Sequence, residues 1–169
     1  MQEFEKNIDD LRNDLFSGKP ELVIATIQTI KQTSHYEIID SLFDLYLTTQ
    51  KDEIKSAILN LFVDIKDERF VEKLIESLEK PKFIAINKEL ISICWQTGLD
   101  FSNYIDMFIT KMFDGTDEIA IECFSVIESS IEHLNDEKKK SIMTFLNEKK
   151  IDFEGVKKGL IEEAIYMLA

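Results

Sequence analysis

Apolar residues recur in this chain at positions i, i+4 and i+7, which is the spacing of one face of an α-helix. The same three positions return after 31, then 32, then 33 residues. The overlaid trios are Val23, Ile27 and Ile30; Ile54, Ile58 and Leu61; Ile86, Leu90 and Ile93; and Ile119, Cys123 and Val126. A second apolar series lies between these trios, so two distinct amphipathic helices alternate along the chain.

Short breaks separate the helical segments and predict where each helix ends. Gly18, Gly98 and Gly115 stand where a helix should finish in a left-handed residue, and Pro20 stands where a helix can begin. We predict ten helices and no strand. The approximate ranges are 3–16, 20–33, 36–49, 52–65, 68–79, 83–97, 101–113, 117–133, 136–149 and 153–168.

Loops this short make neighbouring helices antiparallel, and one helix pair cannot bury its apolar face alone. We therefore predict one all-α domain over residues 1–169, in which about five helical hairpins stack into a continuous core. The approximate units are 1–33, 34–66, 67–98, 99–133 and 134–169.

One hairpin also carries a specific motif. Its first helix opens with Ile54-Lys55 and continues to Phe62 and Ile65, and its second follows Asp67 and Arg69. The second helix continues with Val71, Leu74, Ile75, Glu76 and Leu78. This segment resembles the short bacterial type of HEAT repeat. The other hairpins match mainly in hydrophobic character, and they carry larger residues where that family places Ala or Gly. The resemblance implies a right-handed, armadillo-like α-solenoid.

In HEAT-type solenoids, the first helix of this motif lines the concave surface, which implies a groove along 20–33, 52–65, 83–97, 117–133 and 153–168. The predicted groove is small, polar and mostly uncharged. Its candidate partner-binding residues are Thr29, Asn60, Asp64, Ser92, Trp95, Gln96, Ser125 and Ser129. Trp95 borders the packing face, so it is either partly buried in the core or an aromatic anchor at the edge of the groove.

Charge is distributed unevenly. The chain has a net charge of −13, from 33 acidic and 20 basic residues. Residues 135–169 hold seven of each sign, so the whole excess lies in residues 1–134. An acidic surface of this kind either keeps a protein in solution or attracts a basic partner. It disfavours nucleic acid, which needs a basic surface to neutralise phosphates.

Residues that could perform catalysis are few. His35 and His133 are about a hundred residues apart, and neither has metal ligands at a suitable spacing. Glu118 and Glu122 share a helix face, as two ligands of a hard metal ion would, but such pairs are common on acidic helices. Cys94 and Cys123 fall on packing faces. We therefore predict neither a metal nor a cofactor. The alternative to a non-catalytic protein is a HEAT-like enzyme or enzyme subunit of the lyase or DNA glycosylase class.

The expected function is a non-catalytic protein-interaction module or scaffold. The partner is expected to be another protein, and a basic one would suit the charge. No apolar run is long enough for a membrane span, and the charged first residues do not resemble a secretory signal, so we expect a cytoplasmic location. The apolar segment GLIEEAIYMLA at the end of the sequence favours self-association through the last hairpin, or further repeats beyond it.

Overall fold

The structure of the chain is a computed structural model that describes residues 7–33 and 36–169. These residues form ten α-helices and no strand, which confirms the predicted all-α class. The helices are α1 Ile8–Leu15, α2 Pro20–Thr33, α3 Ile39–Thr48, α4 Asp52–Asp64, α5 Arg69–Glu79, α6 Asn87–Thr97, α7 Ile105–Asp114, α8 Asp117–Ser130, α9 Asp136–Lys149 and α10 Gly155–Leu168.

Several predicted helix ends are 3-10 turns in the structure. Such turns occupy Tyr36–Ile38, Pro81–Ile86 and Ser102–Tyr104, immediately before α3, α6 and α7. Two more, Ile131–His133 and Lys150–Asp152, follow α8 and α9. In the longest turn, Phe83 and Ile86 are both buried, because three residues per turn put positions i and i+3 on the same side. The start of α6 is therefore at Asn87 and not at residue 83.

The chain divides into two compact units, Met1–Ile65 and Lys66–Ala169, and the division falls in the break predicted at residues 65–67. In the first unit α2 packs against α1 and α4, and α3 packs against α4. The rings of Phe43 and Phe62, 4.8 Å apart between centroids, lie in its core. In the second unit α8 packs against α6, α7 and α10. Its side chains Ala120, Val126 and Ile127 are fully buried.

Polar contacts join hairpins that lie one repeat apart in sequence. In the first unit, Lys31 pairs with Asp64 at 2.5 Å, 33 residues away. In the second, Lys138 pairs with Asp106 at 2.6 Å, 32 residues away. The Nζ of Lys111 donates to the carbonyl of Leu78, at the C-terminal end of α5, over a separation of 33 residues. These separations match the apolar period, so within each unit successive hairpins are neighbours.

The predicted left-handed glycines are confirmed at two positions and wrong at the third. Gly18 and Gly98 have φ values of 72° and 68°. Gly115 instead has an ordinary φ of −76° and an extended backbone. Its lack of a side chain matters for space: an added Cβ would lie 2.5 Å from Cγ2 of Ile119 and 2.8 Å from the carbonyl oxygen of Lys111. Gly115 therefore permits the close approach of α7 and α8.

None of the described helices has the length and apolar character that crossing a bilayer requires, as the sequence predicted.

Candidate functional site

The eight predicted partner-binding residues are all exposed or partly exposed. Thr29 on α2 belongs to the first unit, as do Asn60 and Asp64 on α4, and Asp64 forms the ion pair with Lys31. The other five belong to the second unit, on two helices that pack against each other. They are Ser92, Trp95 and Gln96 on α6 and Ser125 and Ser129 on α8.

Two carboxylates on α8 extend this second group. Glu118 and Glu122 precede Ser125 and Ser129 at helical spacing, so the four lie along one side of α8. Glu118 approaches Lys88 of α6 at 4.0 Å, and Glu122 accepts a hydrogen bond from Trp95. We call this surface the α6–α8 face. Its members are Lys88, Ser92, Trp95, Gln96, Glu118, Glu122, Ser125 and Ser129.

Trp95 is the most distinctive member of the α6–α8 face. Its indole Nε1 donates to Oε2 of Glu122 across the two helices at 2.8 Å. The residue remains 39% exposed, so part of it reaches solvent while the hydrogen bond orients the indole. An aromatic ring whose N–H is already hydrogen-bonded and whose remaining surface is partly open to solvent is suited to contact another protein.

Hydrogen-bond donors on this face are largely turned inward. The hydroxyl of Ser125 donates to the carbonyl of Ile121 at 3.3 Å, and that of Ser129 donates to Val126 at 3.0 Å. The amide nitrogen of Gln96 donates to the hydroxyl of Ser92 at 2.6 Å. Lys88 is the one cation among the members, and its Nζ lies 4.0 Å from Glu118. The carboxylate and hydroxyl oxygens of the other members keep lone pairs to offer, so the rest of the face mainly presents acceptors. It therefore suits a ligand rich in N–H donors.

The pair Glu118 and Glu122, considered as metal ligands in the sequence, have separate partners in Lys88 and Trp95. No group of three or more metal-ligating side chains occurs in the described part of the chain. His133 is exposed, and its Nε2 lies 3.6 Å from Oε1 of Glu132. His35 lies outside the described residues.

The two cysteines are buried, as their positions on packing faces predicted, and both are free thiols. Burial raises the pKa of the Cys94 thiol, and the neighbouring Cys123 raises it further. Burial also raises the pKa of Cys123 to about 12, although Lys111 acts in the opposite direction. Both thiols are therefore protonated near neutral pH and behave as small apolar side chains.

The sequence did not predict a cavity of about 710 Å³ that lies elsewhere in the second unit. Its walls come from the end of α5, the turn before α6 together with the first residues of α6, one side of α7, and the start of α8. We call it the Asn87 cavity. Residues that define it include Glu79, Ile84, Asn87, Met107, Asp114 and Ile119. Apolar periodicity could not reveal it, because it depends on how side chains from two hairpins leave space between them.

No protein-family model matches the sequence, and no curated protein is significantly similar to it. Residue roles therefore cannot be transferred from relatives. The functional argument rests on the chemistry of the α6–α8 face.

Proposed function

We propose that this chain is a non-catalytic protein-interaction module or scaffold of HEAT type, and that its α6–α8 face binds a basic segment of another protein. The observation that carries the proposal is the exposed ring of Trp95, held by Glu122 among hydrogen-bond acceptors. A basic side chain can donate to these acceptors, and its charge is attracted by the acidic chain.

The proposed architecture is a right-handed α-solenoid. Helices of the same series pack together, α2 against α4 in the first unit and α6 and α10 against α8 in the second. Cross-hairpin contacts also recur at the repeat period, as between Lys138 and Asp106. Both features support a stack in which each hairpin contacts its neighbours in sequence.

The same surface disfavours the alternatives. A DNA glycosylase or other nucleic-acid-binding protein would use a basic binding surface, whereas α8 carries four acidic residues and no basic ones. A lyase that used a cysteine nucleophile would need a reactive thiolate, whereas the two buried thiols are protonated. We propose neither a cofactor nor a metal. A reducing compartment such as the cytoplasm suits the two free cysteines.

The experiment is affinity capture from the native cell with matched variants. Ser92→Arg/Ser125→Arg adds bulk and positive charge to the α6–α8 face and should abolish recovery of a basic partner. The control, Ser141→Arg/Thr144→Arg, places the same charges on exposed positions of α9 and should retain the partner. Thermal melting of both variants checks that they fold.

Trp95 provides a direct second readout because it is the single tryptophan of the chain. Binding of the recovered partner should change its fluorescence, and Trp95→Ala should weaken binding by about tenfold or more, as a central aromatic anchor would. If the face variant and the control recover the same partners, the α6–α8 face is not the binding site.

Self-association through the last hairpin is a second candidate. Ile151, between α9 and α10, is 83% exposed, and Tyr166 on α10 is 78% exposed. Residues 135–169 also carry no net charge, so two acidic chains could meet there with little repulsion. Sedimentation at increasing concentration should show a dimer that Ile151→Asp/Tyr166→Asp dissociates. A single monomeric species up to millimolar concentration excludes this interface.

A further inference from the structure

We propose that the segment bound at the α6–α8 face is an amphipathic α-helix with basic residues along one side. This inference rests on the proposed function, because it names the form and chemistry of the segment that the face would bind. Three features support it, namely a pair of exposed apolar side chains, the charge of α8 and the engaged hydrogen-bond donors of the face.

Two large apolar side chains stand open to solvent on the neighbouring helices α6 and α8. Trp95 on α6 is 39% exposed, and Ile121 on α8 is 47% exposed. Ile121 directly precedes Glu122, which accepts the hydrogen bond from the indole of Trp95. At helical spacing, it also lies on the same side of α8 as Glu118 and Ser125. Covering both apolar side chains removes them from water, so the bound segment should have an apolar side.

The negative charge of this surface is carried by α8. Its 14 residues include four acidic side chains and no basic one, whereas on α6 the charges of Lys88 and Glu89 cancel. Two of the four, Glu118 and Glu128, are exposed on the same side as Ile121. A segment with lysine or arginine residues on the side that lies over α8 complements this charge.

Hydrogen-bond donors decide between a helical and an extended segment. An extended segment would turn backbone carbonyl groups toward the face, and each buried carbonyl needs a donor. On α8 the hydroxyl groups of Ser125, Ser129 and Ser130 all donate to carbonyls of α8 itself. The indole N–H of Trp95 donates to Glu122. A helix pairs its own backbone groups and meets the face with side chains alone, so these engaged donors favour a helix.

The face also sets the length of the bound helix. From Glu118 to Ser129, α8 rises by about 16 Å at about 1.5 Å per residue, which equals about three helical turns. A bound helix that runs along α8 should therefore contact the face over about three turns.

The test compares two peptides of about 14 residues, roughly four helical turns, that have identical composition in leucine, alanine and lysine. In the helical peptide, leucine recurs at i, i+4 and i+7 with lysine beside it, so the peptide is amphipathic as a helix. In the alternating peptide, apolar and lysine residues alternate, so it is amphipathic only when extended. Neither contains tryptophan, so the fluorescence of Trp95 in the full-length chain reports binding.

The helical peptide should bind at least about tenfold more tightly, because the alternating peptide would leave buried backbone carbonyls without donors. Its Cα carbon shifts, measured by NMR on labelled peptide, should move toward helical values on binding. Equal or tighter binding of the alternating peptide, bound shifts that are not helical, or no binding of either peptide would each overturn the proposal.

Variants locate the apolar contact. Ile121→Ser should weaken binding of the helical peptide by about tenfold, since a buried isoleucine side chain is lost from the complex. The control is Phe16→Ser, which changes a 52% exposed apolar residue of the first unit and should leave binding unchanged. Equal weakening by the two substitutions would show that the peptide does not bind beside Trp95.

A second pair of variants tests the charge. Glu118→Gln/Glu128→Gln should weaken binding of the helical peptide by at least about threefold, because two carboxylates are lost from the contact. Glu137→Gln/Glu148→Gln removes the same charge from exposed positions of α9 and should have a smaller effect. Thermal melting of all four variants checks that they fold.

Failure of this inference is distinguishable from failure of the proposed function. If Ser92→Arg/Ser125→Arg loses the native partner and the helical peptide has no advantage, the face is the binding site but its partner segment is not a helix. If this variant retains the native partner, the proposed site is wrong, and the peptides then report only on a surface that the partner does not use.

Discussion

Gly115 connects α7 to α8 at a point where no side chain fits. A Cβ there would lie 2.5 Å from Cγ2 of Ile119 and 2.8 Å from the carbonyl oxygen of Lys111. The second contact is with backbone, which cannot rotate away. Gly115→Ala should therefore lower the free energy of unfolding by about 1–3 kcal/mol, as overpacking does, measured by urea denaturation.

Gly159 is the matched control because it lies inside α10 and an added Cβ there meets nothing within 4 Å. Gly159→Ala should raise stability by roughly 0.5–1 kcal/mol, since alanine loses less conformational freedom in a helix. Equal effects of the two substitutions would show that the close approach at Gly115 is not real.

The buried thiols permit a second prediction at the level of single residues. Cys94 is fully buried with a raised pKa, and the pKa of Cys123 is about 12. A raised pKa leaves less of the reactive thiolate at any pH below it, so at pH 8 both thiols are almost wholly protonated. A colorimetric disulfide reagent should label neither thiol in the native protein and both in urea. Rapid native labelling of one thiol would falsify its burial.

Helix α9 offers a test of its first turn. The side chain of Asn135 caps the helix by accepting a hydrogen bond from the backbone N–H of Lys138 at 2.8 Å. Asn135→Ala removes this acceptor and should cost about 1 kcal/mol in thermal or urea unfolding. Asn147→Ala is the same change near the end of the same helix and removes an exposed hydrogen bond from Nδ2 to the carbonyl of Met143 at 2.9 Å. It should be close to neutral, because the higher helix propensity of alanine offsets that loss. If both substitutions lower the stability by similar amounts, the hydrogen bond of the Asn135 cap is not what stabilises the first turn of α9.

Helix number and most helix positions could be predicted from the sequence, because apolar residues at i, i+4 and i+7 fix both the helix and its buried side. The 3-10 turns could not be predicted, because apolar residues three positions apart, such as Phe83 and Ile86, fit either kind of helix. Gly115 shows the same limit: a glycine before a helix indicates a break, but only the packing of Ile119 shows that the glycine is needed for space.

The candidate site was only partly predictable for a related reason. The repeat overlay placed Ser92 and Gln96 on one exposed side of α6, and it placed Trp95 at the border of the packing face, either partly buried or at the edge of the groove. It did not indicate that Trp95 would donate to Glu122, 27 residues later, because that contact depends on the direction of both side chains. No sequence pattern indicates that Oδ1 of Asn87 lacks a hydrogen-bond donor, because this depends on where four separate segments place their donors.

At the scale of the whole chain, charge opposes folding while the cross-hairpin contacts favour it. The net charge of −13 produces repulsion among carboxylates that extends over the Debye length, about 30 Å at 0.01 M salt and about 10 Å at 0.1 M. Exposed pairs such as Lys138 with Asp106 contribute only about 0–1 kcal/mol each. Repulsion among the carboxylates should therefore change the stability more with salt than attraction within the exposed ion pairs does.

We predict that the melting temperature rises by a few degrees when sodium chloride is increased from about 0.01 M to 0.3 M, since screening shortens the range of repulsion more than it weakens close pairs. Glu128→Gln/Glu148→Gln supplies the control. It removes two exposed carboxylates near the C-terminal ends of α8 and α9, where the helix dipole also disfavours negative charge. The variant should melt higher than the wild type in low salt and differ less in high salt. A melting temperature that falls with salt would mean that ion pairs between hairpins outweigh the repulsion, and the fold would then depend on those pairs for its stability.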